Sequence, residues 1–209
     1  MLSDVLQDLL DEGIGLLGEH LVLVLSAILI ASAIAIPAGL LLTQHPRARS
    51  WALGIASVGQ TIPSLALFGF LIPIPFIGGI GQHTAIIALV LYALLPILRN
   101  TVTGILGVDP IVRDSAVAMG MTQAQILRMI ELPLAAPTII AGLRIATVTT
   151  IGTATIAAAI GAGGLGVFIF RGIASVDKIQ ILAGAIPAAL LALAADGALG
   201  WLEKRWSAR

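Results

Sequence analysis

Long apolar stretches separated by short polar ones dominate the pattern of this sequence. Five of them are long enough for a helix that crosses a bilayer, because about 20 residues at about 1.5 Å each cover a hydrocarbon core of about 30 Å. The short alternating segments of a membrane β-barrel do not occur. The pattern therefore predicts transmembrane helices at residues 21–42, 52–72, 80–98, 138–160 and 179–202.

The segment before the first span has the period of an amphipathic helix. Its acidic residues share one face, and an apolar stripe forms the other, made of Leu2, Val5, Leu6, Leu9, Leu10, Ile14 and Leu17. We expect an interfacial helix at the outer surface, at residues 1–20. A single transmembrane domain at 21–209 follows it.

Basic residues are concentrated on one side of the predicted spans. Most Lys and Arg lie after the first, third and fifth spans, whereas residues 1–20 contain acidic residues and no basic one. Basic loops are retained in the cytoplasm. The predicted topology has the N-terminus outside and the C-terminus in the cytoplasm, and three tryptophans fall at the cytoplasmic ends of spans, as expected of interfacial rings: Trp51, Trp201 and Trp206.

Composition excludes several classes of function. Hydrophobic residues make up 58% of the chain and charged residues 11%, against roughly 45–50% and about 25% in soluble domains. A net charge of zero argues against nucleic-acid binding. The absence of cysteine excludes disulfides and thiolate zinc sites, and three dispersed histidines indicate no metal site. No G-x-x-x-x-G-K-[ST] phosphate loop occurs, so any ATP hydrolysis needs a partner.

The one long polar stretch, at 99–137, is helical in pattern. Its capping and turn residues predict a helix that begins at Asp109, a break at Gly120 and a second helix at 122–131. We expect Pro133 to end that second helix. Periodicity alone fits equally well with two amphipathic helices that simply pack under the bundle.

The spacing within this stretch resembles the EAA loop of ABC importer permeases, whose pattern is E-A-A-x3-G-x9-I-x-L-P. Every interval is in register, with an aspartate in place of the glutamate and a serine in place of the first alanine. In that family the first helix of the loop docks on a cytoplasmic ATPase subunit. The resemblance implies that coupling role for Asp114, Ser115, Ala116, Met119, Gly120, Ile130, Leu132 and Pro133.

Three further stretches, at 60–67, 142–144 and 160–166, resemble permeases that import glycine betaine, carnitine, choline and related osmoprotectants. The resemblance implies an all-α membrane protein of the type I ABC importer permease fold, with five spans plus the N-terminal helix, in the bacterial plasma (inner) membrane. A permease for methionine or another small solute is the nearest rival. A non-transporting membrane scaffold is an alternative of a different class.

The same resemblance implies the partners of the chain. They are cytoplasmic ABC ATPase subunits, which would bind ATP and Mg, a second permease subunit, identical or homologous, and an external solute-binding protein. The chain itself would bind no cofactor and would not be an enzyme. A membrane-embedded enzyme is also disfavoured by the residues, because no paired carboxylates, His cluster or nucleophile–base pair occurs inside the spans.

Two charged residues, Arg144 and Asp196, lie inside the predicted spans. Such charges are costly and mark functional candidates. Because the two lie at similar depth, we hypothesise that they pair with each other or that each reaches the EAA-like loop at 99–137. Snorkelling of each side chain to the nearby interface is the competing explanation.

Uncharged polar residues mark a candidate pathway through the membrane. Pro63 interrupts the second span where polar side chains collect, and threonines of the fourth span form a plausible facing wall. The predicted pathway or gate comprises Gln60, Thr61, Pro63, Ser64, Thr150 and Thr153. Packing between helices through hydroxyl groups is the alternative. With only 4% aromatic residues, the aromatic cage that a quaternary ammonium needs belongs to the external binding protein.

The glycines at 161–166 satisfy the pattern G-x-G-x-x-G, but they follow a membrane helix instead of a strand. They predict a tight turn or a short re-entrant segment, and not a nucleotide site. The charges that follow them, Arg171, Asp177 and Lys178, are candidates for contact with the external binding protein. Simple solvated charges are the alternative for these three residues.

Overall fold

The computed structural model describes residues 2–75 and 78–207, with side chains from residue 11 onward, and these residues form helices and connecting turns without a strand. The long helices are α1 (Leu2–Thr43), α4 (Gln82–Leu106), α7 (Leu132–Ile156) and α9 (Lys178–Ser207). The shorter ones are α2 (Pro46–Thr61), α3 (Ser64–Leu71), α5 (Pro110–Ala118), α6 (Gln123–Ile126) and α8 (Gly166–Ser175). A π-helical turn (Leu127–Glu131) precedes α7, and a 3-10 turn (Ala157–Ile160) follows it.

Four of the described helical stretches are long and apolar enough to cross a membrane: Asp11–Thr43, Gln82–Leu106, Gln123–Ile160 and Lys178–Ser207. The pair α2–α3 is bent by 100° and adds a fifth span if both helices form one crossing. The chain is therefore a multi-pass helical protein. The second span predicted at 52–72 is not one straight helix, because Pro63 follows a residue in extended conformation, Ile62, at which α2 ends.

The first helix is longer than predicted. A separate helix was expected at 1–20, but α1 continues without interruption from Leu2 to Thr43. No proline stops it near residue 20. The side chains of residues 2–10, which carry most of the predicted apolar stripe, lie outside the described part of the chain.

The prediction that Pro133 ends the helix expected at 122–131 was also wrong. The helical path from α6 continues through the π turn into α7, where Pro133 lies in the first turn. The Leu132 N–H donates to the carbonyl of Leu127, five residues earlier. This wider turn accommodates a residue that has no N–H to donate.

The core forms where α1, α4 and α7 pack side by side, with α9 along α7 and α2–α3 against α4. Small buried residues make this close packing possible, among them Ala27, Ala31, Ala85, Ala88, Ala93, Ala146 and Ala154. The end of α1, the end of α4 and the π turn before α7 line one cleft together with residues of α5 and α6, and we call this the hairpin end of the bundle.

Candidate functional site

The two helices of the polar stretch begin where the sequence predicts. The Asp109 carboxylate accepts a hydrogen bond from the Ile111 N–H at 2.8 Å and caps α5, which begins at Pro110. Thr122 and Gln125 form a capping box at the start of α6. We refer to α5, α6 and the turn between them as the hairpin. Local side-chain caps therefore fix where both of its helices begin.

Gly120 makes the turn of the hairpin. Its φ of 78° lies in the left-handed region that L-residues with a side chain rarely adopt. No other part of the described chain lies within 4 Å of the position a Cβ would occupy there. The requirement for glycine is thus a backbone requirement, and any substitution changes the angle between α5 and α6.

Apart from Gly120 in the turn, the predicted coupling residues divide into two groups. Asp114, Ser115 and Met119 are exposed on or beside α5, and Ala116 is buried beneath them. The other three, Ile130, Leu132 and Pro133, lie in the π turn and at the start of α7. The motif therefore includes residues of an exposed helix and residues of the segment that connects the hairpin to α7.

Large apolar side chains are exposed on and beside α5. Ile111 and Met119 are each 72% exposed, and Val117 is 52% exposed. None of the described helices covers these three side chains. A helix with solvated polar ends and exposed apolar side chains is a surface suited to a protein partner.

The predicted gate residues surround the bend between α2 and α3. The Gln60 side-chain amide donates to the main-chain carbonyl of Tyr92 on α4 at 2.8 Å. In return, the Tyr92 hydroxyl donates to the carbonyl of Ile62, which the bend leaves without its helical partner. Thr61 donates to the carbonyl of Val58 in its own helix. The bend is therefore held against α4 by a reciprocal pair of hydrogen bonds.

The threonines of α7 do not form one exposed wall. Thr153 is half-buried, and its hydroxyl donates to the carbonyl of Thr149 at 2.9 Å. Thr150 is buried in the core of the chain, and its hydroxyl has no hydrogen-bond partner. The structure thus puts these two predicted pathway residues in different environments on one helix.

The two intramembrane charges meet across α7 and α9. The Arg144 guanidinium donates to both carboxylate oxygens of Asp196, with Nε–Oδ1 at 2.5 Å and Nη2–Oδ2 at 2.7 Å. Its Nη1 also donates to Glu203 at 3.3 Å. The hypothesis that Arg144 and Asp196 pair agrees with this geometry. The bidentate contact with Asp196, together with the hydrogen bond to Glu203, fixes the plane of the guanidinium between the two helices.

At the opposite end of the bundle, two of the three predicted docking residues make contacts within the chain. Arg171 forms an ion pair with Glu12 of α1, with Nη1–Oε1 at 2.5 Å. Asp177 caps α9 by accepting from the Ile179 N–H at 2.8 Å. Lys178 is exposed. The predicted docking residues therefore do not form one free charged patch.

The glycine-rich turn at 161–166 fits closely against α1. The Gly164 N–H donates to the Glu19 carboxylate at 2.9 Å. Gly163 and Gly164 both have positive φ, at 81° and 77°, and a Cβ on Gly164 would lie 3.1 Å from the ring of His20. The turn connects two helices, as predicted, and it also attaches the first helix to α8.

Sequence reasoning missed Tyr92 and Glu203. A signal for Glu203 existed, because it follows Asp196 by two helical turns and so lies on the same face of α9. No signal identified Tyr92, since its contact depends on where the α2–α3 bend lies in space. Among the described residues, no three histidine, cysteine, aspartate or glutamate side chains form a group that could hold a metal ion.

The sequence is similar to those of known transport permease proteins. The chain is 48% identical over 187 residues to the carnitine transport permease protein OpuCB of Listeria monocytogenes, covering 90% of this chain and 84% of that protein. It is 45% identical over 190 residues to the glycine betaine/carnitine/choline transport system permease protein OpuCD of Bacillus subtilis, covering 90% and 82%.

The fold also matches solved structures. A chain of the inward-facing MetNI methionine ABC transporter superposes with a TM-score of 0.79 at 23% identity, covering 92% of this chain and 95% of that chain. An amino acid ABC transporter crystallised with histidines gives a TM-score of 0.78 at 20% identity, covering 98% and 97%. Residues 24–208 match the family described as binding-protein-dependent transport system inner membrane component. The chain therefore belongs to this family of inner-membrane transport components.

Proposed function

We propose that this chain is the permease subunit of an ATP-driven importer for glycine betaine, carnitine, choline or a similar osmoprotectant. Relatives at 42–48% identity over about 90% of the chain carry the names of permeases for these solutes. The single observation that carries the coupling part of the proposal is the hairpin, whose first helix exposes large apolar side chains.

In this proposal α5 docks on a cytoplasmic ATPase subunit, which binds ATP and Mg. The apolar side chains of Ile111, Val117 and Met119 would enter a groove on that partner, and the left-handed turn at Gly120 would set the angle of α5. The hairpin and the C-terminus then lie in the cytoplasm of a bacterial cell and the N-terminus outside. The excess of basic residues on the hairpin side supports this orientation.

The proposed translocation pathway runs beside the α2–α3 bend and α7. Gln60, Thr61, Ser64 and Thr153 would line it together with a second permease subunit, either identical or homologous. The exposed outer face of α2, which has no buried residue, supports a role at a boundary of the chain rather than in its core. An external binding protein would deliver the solute, with Lys178 as a candidate contact.

The test is reconstitution of the chain with the ATPase and the binding protein that co-purify from its native membrane. We expect uptake of a labelled osmoprotectant into proteoliposomes that depends on ATP and on the loaded binding protein. Gly120→Val and Asp114→Lys should abolish uptake and leave membrane insertion intact. Gly18→Val on α1 is a size-matched control, because its Cβ position is open.

Each of the other outcomes favours a different function for this chain. ATPase activity that responds to methionine or another solute, and to none of the osmoprotectants, would keep the mechanism and refute the substrate class. Absence of any associated ATPase would refute the importer and favour a membrane scaffold whose hairpin simply binds a partner.

A further inference from the structure

The attachment of α5 to the rest of the chain is slight for a helix that has to transmit movement. Ala116 is the one buried residue of α5. Its covalent connections contain a glycine on each side, at Gly107 and Gly120. These short connections fix where α5 begins and ends, but they do not attach the side of α5 to a membrane helix. A lateral link between α5 and a membrane helix is therefore needed if docking on α5 is to move the bundle.

We propose that the ion pair between Arg113 and Glu131 is this link, and that it makes both residues positioning residues for transport. The proposal rests on the importer function proposed above. Arg113 lies on α5, and Glu131 is the last residue of the π turn that continues directly into α7. Arg113 Nε lies 3.3 Å from Glu131 Oε1.

The two side chains are buried to different extents, and loss of the ion pair is therefore more costly for Glu131 than for Arg113. The Glu131 side chain is only 10% exposed, whereas the Arg113 side chain is 51% exposed. A carboxylate in such a place is costly without a charged partner. When α5 moves, separation of the pair would leave Glu131 buried and unpaired. Movement of the π turn together with α5 avoids this cost.

Within the cleft beside the pair, the described residues offer neither charge another charged partner. The pair lines a cleft of about 670 Å³ between the end of α1, the end of α4 and the hairpin. Arg113 and Glu131 are the only charged residues among the described residues that line it. The cleft provides room for the hairpin to move, and the π turn provides a segment whose hydrogen bonding is already irregular. Helix α7, which the turn enters, carries Arg144 and Thr153.

The test uses the complete importer in proteoliposomes and measures two quantities, solute uptake and ATP hydrolysis. The variants are Arg113→Glu, Glu131→Arg, the milder Glu131→Gln, and the exchange that combines Arg113→Glu with Glu131→Arg. Arg128→Glu combined with Glu131→Arg is the mismatched control, because Arg128 is an exposed cation in the same turn. Arg113→Lys preserves the charge.

We expect the single charge reversals to keep assembly and basal ATP hydrolysis and to lower solute transported per ATP by at least about fivefold, the lower end of measured couplings between sites. The exchange should restore this ratio to within about twofold of the unaltered importer. The mismatched control should not restore it, and Arg113→Lys should retain most of it. Normal ratios in all single variants, or equal recovery in the exchange and the mismatched control, would overturn the proposal.

A second measurement separates failure of this link from failure of the proposed function. Because the chain has no cysteine, spin labels can be attached at Val112→Cys on α5 and Ile145→Cys on α7, both exposed. The distance distribution between them should widen in Arg113→Glu and Glu131→Gln and narrow again in the exchange, without nucleotide or solute. An unchanged width in both variants would refute the link. An importer that fails to transport any osmoprotectant would refute only the function.

Discussion

Replacing Gly142 with alanine would place a methyl group where α7 crosses α4. The new Cβ would lie 2.4 Å from the Cβ of Asn100 and 2.8 Å from the carbonyl oxygen of Pro96. Carbon atoms pack at about 3.5–4.0 Å, so the two helices would have to separate by roughly 1 Å. Neither neighbouring atom is the end of a flexible side chain. The strain must therefore move the backbone of at least one helix.

The expected cost is about 1–3 kcal/mol, the usual range for inserting a methyl group into a well-packed core. For a chain of this size, each kcal/mol shifts the unfolding midpoint by about 2–4 °C. The Gly142→Ala protein should therefore unfold roughly 2–12 °C below the unaltered chain. The measurement is thermal unfolding of the purified chain in detergent, at one fixed heating rate.

Gly152→Ala is the matched control for this prediction. Gly152 lies on the same helix, and no other part of the described chain comes within 4 Å of its Cβ position. Alanine there adds helix propensity without a clash, so the midpoint should stay or rise. If Gly142→Ala and Gly152→Ala gave the same midpoint, the close crossing of α4 and α7 would be refuted.

Three further changes test polar contacts. Exchanging the charges of Arg144 and Asp196 should recover only part of the uptake lost in each single variant, because the new carboxylate would face Glu203; adding Glu203→Gln should increase the recovery. Tyr92→Phe removes a hydrogen bond at the α2–α3 bend and should cost about 0.5–1.5 kcal/mol in thermal unfolding. Gly164→Ala should cost at least about 1–2 kcal/mol in the same assay, because φ there is 77°.

Each of these expectations has a result that contradicts it. Full recovery by the simple charge exchange would show that Glu203 does not act on Arg144. An unchanged midpoint for Tyr92→Phe would show that the bend does not depend on that hydroxyl. For Gly164→Ala the control is Gly18→Ala, whose Cβ position is open; equal midpoints would refute the strained turn against α1.

The parts of the fold that sequence predicted are those determined by local signals. Apolar length located the first, third, fourth and fifth spans, and capping residues such as Asp109 and Thr122 located the helices of the hairpin. The errors arose where two local rules compete. Pro133 is a stop signal in isolation, but a π turn removes the conflict and the helix continues. The boundary expected near residue 20 followed from a change in polarity, and a polarity change by itself does not stop a helix.

The sequence predicted the level of each candidate side chain along its span, but not which neighbouring helix the side chain faces. The rise of about 1.5 Å per residue gives the depth of each side chain along a span, so Arg144 and Asp196 could be expected at one level. Which helix faces which is decided by packing of small residues, and no single helix contains that information. This is why the contacts of Tyr92 and of Glu131 with other elements were not foreseen.

The charge balance of the α7–α9 cluster follows from both kinds of information. One guanidinium faces two carboxylates, Asp196 and Glu203, spaced by two turns along α9. The cluster therefore carries one surplus negative charge while Arg144 holds both partners. Snorkelling of isolated charges does not require a bidentate contact, whereas Arg144 makes one with Asp196. A geometry with a shared cation ties two turns of α9 to one position on α7, so the two helices are expected to move as one unit.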